Sequence, residues 1–129
     1  MSQSDKDLLL KDLCARLPYN VAIDCRDEDS RFTCYLTTDM LREIQNNNCY
    51  WEYKPYLFPL SSMTDEDYTI YSKIWEDTGK TAYLEGCHHL ISTIKAYKAG
   101  NDYLLSKQYD VNGLIPMGLA IDATGLNIY

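Results

Sequence analysis

The sequence is marked first by what it lacks. No apolar run in its 129 residues approaches the ~18 needed for a transmembrane helix, so no membrane span is expected. The five cysteines, Cys14, Cys25, Cys34, Cys49 and Cys87, are odd in number, and no two stand at C-x-x-C spacing. That excludes the common zinc-ribbon and thioredoxin-type patterns. Met1 to Lys11 carries acids and no long apolar core, so no secretory leader is read there. Reduced thiols in a cytoplasmic protein are the expectation. The phosphate-cradling patterns G-x-x-x-x-G-K-[ST] and G-x-G-x-x-G are absent, as is the nucleophile elbow G-x-S-x-G. These absences argue against a nucleotide-driven enzyme. There is no internal repeat, low-complexity tract or linker.

Positive charge is scarce as well. Twelve Lys and Arg face nineteen Asp and Glu, for a net charge of −7. Direct binding to nucleic acid is not expected, because neutralising phosphates takes clustered cations. What is present in excess is tyrosine: twelve, against two Phe and two Trp. Tyrosine buries a ring while keeping a polar tip, which suits core boundaries and interfaces. The length and the 46% hydrophobic content fit one domain over 1–129 that buries roughly two-thirds of its unfolded surface.

The periodicity predicts an α+β fold: a small antiparallel sheet, made of a hairpin plus a third strand, packed with about three helices. Ser4, Asp5 and Asp7 favour a helix start, and Leu8, Leu9, Leu13 and Leu17 form its stripe until Pro18. Tyr19, Val21, Ile23 and Cys25 alternate with Asn20, Ala22 and Asp24, as in a half-buried strand. Arg26 to Ser30 reads as a turn into a second alternating run, Phe32, Cys34 and Leu36. Asp39 to Ile44 fits a short helix or a strand start, and Asn46-Asn47-Asn48 a loop. Cys49 to Lys54 reads as the third strand. Pro55 and Pro59 predict that Tyr56-Leu57-Phe58 leaves the sheet as an extended crossover. Thr64 and Asp67 form a capping box for a helix whose face carries Tyr68, Tyr71, Ile74 and Trp75 and which ends at Gly79. Leu84, Cys87, Leu90, Ile91, Ile94 and Tyr97 mark the buried stripe of the next helix, ending at Gly100. Asn101 to Gln108 adds a short helical piece. The tail, with Gly113, Pro116, Gly118 and Gly125, reads as irregular with a short extended piece at Leu119 to Ile121.

Cys87-His88-His89 is the most conspicuous chemical grouping. Adjacent residues on a helix diverge by about 100°, so the two histidines do not share a metal easily. Glu85 could join His89 on one face, but zinc takes three or four protein ligands and no other histidine exists. No metal or cofactor is therefore expected. A Cys–His nucleophile pair would need an orienting third group, and Cys87 falls in the apolar stripe, where a thiol is normally inert. The clusters Asp27-Glu28-Asp29 and Asp65-Glu66-Asp67 fit a turn and a helix start without further function. The aromatic run Tyr50, Trp51, Tyr53 and Tyr56 contains a single base, Lys54, so it fits a protein-binding patch better than a base-stacking platform.

Three phrases carry a resemblance: Leu8-Leu9-Leu10-Lys11-Asp12-Leu13-Cys14-Ala15-Arg16-Leu17-Pro18-Tyr19, Lys54-Pro55-Tyr56-Leu57-Phe58-Pro59-Leu60-Ser61-Ser62-Met63-Thr64, and Gly113-Leu114-Ile115-Pro116-Met117-Gly118-Leu119-Ala120. Together they resemble a group of small uncharacterised proteins carried by phages, prophages and other mobile elements of gut anaerobes. The group brings no known site. It implies a setting, the cytoplasm of a bacterial host, in which small acidic proteins modulate host enzymes or defences. The expectation is a non-enzymatic accessory protein that binds a host or phage protein, such as a nucleic-acid-binding or defence protein. Its alternatives are a small-molecule or nucleotide-sequestering module and a small enzyme using Cys87, His88 or His89.

Overall fold

The computed structural model describes residues 1–46 and 51–129. It holds helix α1 (Gln3–Arg16), strands β1 (Ala22–Arg26) and β2 (Arg31–Tyr35), helix α2 (Thr38–Asn46), strand β3 (Glu52–Leu57), long helices α3 (Asp65–Leu84) and α4 (His89–Ser106), and strand β4 (Ile121–Asp122). Short 3-10 turns follow α1 and β3. The class is α+β. The sheet order is β2-β1-β3-β4, with antiparallel pairing except for the parallel β3–β4 pair, so the tail makes the sheet mixed.

Pro55 does not eject its segment from the sheet. The β1 ladder reaches Pro55, paired with Ile23, and the β4 ladder begins at Tyr56. The residue without an N–H stands at the hand-over between ladders, where a missing donor is tolerated. β1 is also more deeply placed than its alternation suggests: Val21, Ala22, Ile23, Asp24 and Cys25 are all buried. Ile23, Cys25 and Leu57 join Leu9 and Leu13 of α1, Ile44 of α2 and Leu114 and Leu119 of the tail in the main core. On the other side of the sheet Ala22 and Tyr56 pack with Ala123, flanked by Phe58 and Ile128. The tail covers both faces, which a local periodicity cannot reveal.

Two charged residues sit at the join between α1 and the tail. Arg16 and Asp12 have no side-chain exposure, and Arg16 Nε donates to Asp12 Oδ2 at 2.8 Å. Arg16 Nη2 also donates to the Tyr109 carbonyl at 2.5 Å, and Asn112 Nδ2 donates to Asp12 Oδ1 at 2.9 Å. Gln108, in a left-handed conformation, donates to the Tyr19 carbonyl at 2.8 Å. These bonds fix the end of α4 to the end of α1.

The start of α1 is capped by Ser2 rather than Ser4. Neither Gly79 nor Gly100 ends a helix. Gly86 (φ 85°) takes the role read for Gly79: its N–H bonds the Tyr83 carbonyl and the Cys87 N–H bonds the Ala82 carbonyl, a Schellman stop. Gly100 lies inside α4 against α3. A Cβ there would stand 2.7 Å from Trp75 Cδ1 and from Tyr71 Cε2. Ser92, Ala96 and Gly100, one turn apart, are buried along α4 ahead of Leu104 and Leu105 near its end, and they let the two helices approach closely. The stripe read as core is on the outside instead: Leu90 is 61% exposed, Ile91 44%, Ile94 53% and Tyr97 61%. Small residues have won the inner face because the large rings of α3 occupy that space.

The two glycines predict opposite outcomes for one substitution. Gly79→Ala meets nothing within 4 Å and should stabilise the chain by roughly 0.5–1 kcal/mol through helix propensity. Gly100→Ala should cost about 1–3 kcal/mol through overpacking against Tyr71 and Trp75. Urea unfolding of both variants checks the pair, and equal signs would contradict the packing described.

Candidate functional site

The site begins with a helix start. Thr64 is the N-cap of α3, and its Oγ1 accepts the Asp67 N–H at 3.1 Å. In a capping box the third residue turns its side chain back to the cap. Asp67 instead turns toward the far end of α4, which lies alongside because α3 and α4 are antiparallel neighbours. Tyr103 donates to Asp67 Oδ1 at 2.7 Å and Tyr109 to Oδ2 at 2.6 Å. The Tyr109 bond first, and then the Tyr103 bond, hold the Asp67 carboxyl below its ordinary range. Burial, reinforced by the Asp67 hydrogen bond, pushes the Tyr103 phenol up to about 12 and moves Tyr109 upward as well. The cluster is thus one carboxylate held by two neutral phenols.

This cluster forms one side of a half-open cavity of about 520 Å³. Phe58 stands in the wall, its ring centroid 6.4 Å from Tyr109 and 5.7 Å from Tyr129. Tyr129 is anchored: its hydroxyl donates to the Tyr56 carbonyl at 2.6 Å and accepts the Ala22 N–H at 3.0 Å. Burial pushes that phenol up to about 12. Lys107 lies at the rim, its Nζ 6.0 Å from the centroid of the Tyr103 ring, and it forms no ion pair among the described residues. Gly125 completes the lining from the tail.

The aromatic residues singled out in the sequence are divided by the strand pleat. Tyr53 pairs with Cys25 in β3's ladder and packs, with Trp51, against the main core. Trp51 also meets Phe32 edge-on at 5.0 Å, and Tyr53 donates to Glu43 Oε2 at 2.5 Å. Both line a second concavity of about 540 Å³ beside Leu9 and Leu119. Tyr56 faces the opposite way, is 5% exposed, and donates to Asp24 Oδ1 at 3.3 Å. Tyr50 lies outside the described residues. Cys87 and His88 occupy the α3–α4 link, and His89 begins α4. His88 caps α4 through its own ring, Nδ1 accepting the Leu90 N–H at 3.2 Å, and Lys95 Nζ reaches Cys87 Sγ at 3.7 Å. Among the described residues no hydrogen bond joins Cys87 to a histidine, and no cluster of three metal-ligating side chains occurs. Among those residues, no helix is long and apolar enough to cross a membrane.

Sequence reading reached Asp67 only as a capping residue. Tyr103, Tyr109 and Tyr129 carried no local signal beyond the surplus of tyrosine, and Phe58 only its place in the expected crossover, since a helical hairpin and the returning tail bring them together. No protein-family model matches the chain, and no curated protein or solved structure is significantly similar to it.

A carboxyl lowered by folding contributes stability that is complete above its unfolded value, near 3.8, and is lost as pH falls through the lower folded value. Asp67→Asn should therefore destabilise the protein at about pH 6, by a deficit that shrinks toward about pH 2 as the carboxyl becomes protonated. Denaturant unfolding at the two pH values measures it; a deficit unchanged between them would contradict an ionised Asp67 held by Tyr103 and Tyr109.

Proposed function

We propose that this chain is a non-enzymatic binding module that holds a small molecule in the cavity between Asp67 and Phe58. One observation carries the reading: a space of about 520 Å³ in which the rings of Phe58, Tyr109 and Tyr129 stand beside an Asp67 carboxylate fixed by two phenols. Ligand sites are typically ~300–1,000 Å³, mostly apolar, with a few placed polar groups. The shifted Asp67, Tyr103 and Tyr109 add support, because perturbed titration concentrates at functional clefts. Sequestering a metabolite or nucleotide needs no catalytic group, which fits the missing motifs. A thermal-shift screen of nucleotides, amino acids and amines tests the reading, since a ligand that binds only the folded state raises Tm. Thr124→Trp, which fills the cavity from its rim, should abolish any shift. A flat screen would remove this function.

A second reading is favoured by the outer face of α4. Leu90, Ile91 and Ile94 form an exposed stripe on the helix side away from Ser92, Ala96 and Gly100, flanked by Tyr97, whose ring meets Trp75 of α3 edge-on at 6.4 Å. An accessory protein of a mobile element could use it to occupy an apolar groove on a host protein, and the resemblance in the three sequence phrases makes a nucleic-acid-binding or defence protein the partner to test. The acidic turn Asp27-Glu28-Asp29, on the sheet, supplies charge for steering toward a basic partner. A stoichiometric partner co-purified from a bacterial host should be lost with Ile94→Asp, at a surface position that leaves the fold intact. Retention of the partner by that variant would move the contact elsewhere.

A further inference from the structure

The cavity is rich in acceptors and poor in donors, and this asymmetry selects a charge. Several of the donors around it are already spent on the protein itself. Ser62 Oγ donates to the Pro59 carbonyl at 2.7 Å, Ser106 Oγ to the Tyr103 carbonyl at 2.6 Å, and Gln108 Nε2 to the Tyr19 carbonyl at 2.8 Å. Tyr109 and Tyr129 donate inward to Asp67 and to the Tyr56 carbonyl. A carboxylate offers about four lone-pair sites, and the two phenols fill one on each oxygen. What faces the space is therefore the rest of the Asp67 carboxylate, phenolic oxygens that can still accept, and the electron-rich faces of Phe58, Tyr109 and Tyr129.

We infer that the cavity takes a small organic cation, an ammonium or guanidinium carrying an aromatic or apolar body, with its charged end at Asp67 and its body against Phe58 and Tyr129. This rests on the ligand-binding reading above and gives its ligand a class. The physical grounds are twofold. A charge-assisted hydrogen bond to a carboxylate is about twice as strong as a neutral one. A cation beside aromatic faces gains further attraction from the ring quadrupoles. An anion would meet Asp67 head-on, with Lys107 as the cationic side chain of the lining. Lys107 shows the same preference from inside the chain. Its ammonium is drawn toward the Tyr103 ring and lowers the Asp67 carboxyl by its charge, yet it stays outside ion-pair distance. It is an exposed, screened competitor at the rim, so removing it distinguishes the two signs of ligand charge.

Three molecules with one ring and different charge provide the probe: phenethylamine, 2-phenylethanol and phenylacetate. Titrations of the full chain, followed by calorimetry and by NMR shifts at Phe58 and Tyr109, should rank the amine first and show little or no binding of the carboxylate. Asp67→Asn should weaken the amine about tenfold, the scale of one charge-assisted bond. Lys107→Met, at an exposed position, should tighten it several-fold at low salt. That variant keeps the test informative if Asp67→Asn folds poorly. A lysine-bearing peptide forms a second arm. Binding of the peptide tighter than that of the free amine would assign the cation to a partner's side chain, and the reverse to a free metabolite. Phenylacetate or the alcohol binding while the amine does not would overturn the cation assignment and leave the cavity reading standing. Failure of all three, together with the broader screen, would overturn both. Tighter amine binding by wild type than by Lys107→Met would also count against the inference.

Discussion

The buried pair Asp12–Arg16 is the constraint on which the remaining architecture depends. Both side chains are fully excluded from solvent, and taking two charges out of water is expensive unless every donor and acceptor finds a partner. Here the partners come from distant chain: the Tyr109 carbonyl and the Asn112 amide, about a hundred residues on. Releasing the tail from α1 would give up both of these charge-assisted hydrogen bonds. Because the tail is held there, Leu114 and Leu119 reach the main core, Ala123 covers the second face of the sheet, and Tyr129 arrives beside Phe58.

The α3–α4 hairpin obeys a different constraint, one of volume. Its inner seam sets the rings of Tyr71 and Trp75 against Ser92, Ala96 and Gly100, and Trp75 Nε1 donates to the Tyr71 hydroxyl at 2.9 Å. The first half of α4, with small residues inside and Leu90, Ile91 and Ile94 outside, exposes large apolar side chains to solvent, while Leu104 and Leu105 near its end are buried. That choice makes little sense for stability alone, and it is what gives the outer face weight in the second functional reading.

Much of the fold was legible from local pattern. The hairpin over Ala22–Tyr35, the cap at Thr64, the α+β class and the short extended piece near Ile121 all follow from period and turn chemistry. The reading failed where an unseen neighbour overrode a local rule. Gly79 and Gly100 looked like stops because glycine weakens helices, but packing against α3 requires one of them and the other is simply tolerated. Leu90, Ile91 and Ile94 looked like core because periodicity cannot say which side of a helix is covered. Pro55 looked incompatible with a central strand because the hand-over between two ladders exists only once the tail has returned. The candidate site was almost invisible for the same reason: Phe58, Asp67, Tyr103, Tyr109 and Tyr129 come from four separate stretches, and only Asp67 had drawn notice, for capping.

Tyr109 is held at both ends. Arg16 takes its carbonyl and Asp67 its hydroxyl, while the ring itself is 4% exposed. A side chain fixed in this way has already surrendered its rotamer freedom when the chain folds, so little ordering is left to be done when something enters the space beside it. The cavity wall is thus preorganised by a charge pair on the far side of the backbone, and the entropy of arranging that wall belongs to folding rather than to recognition.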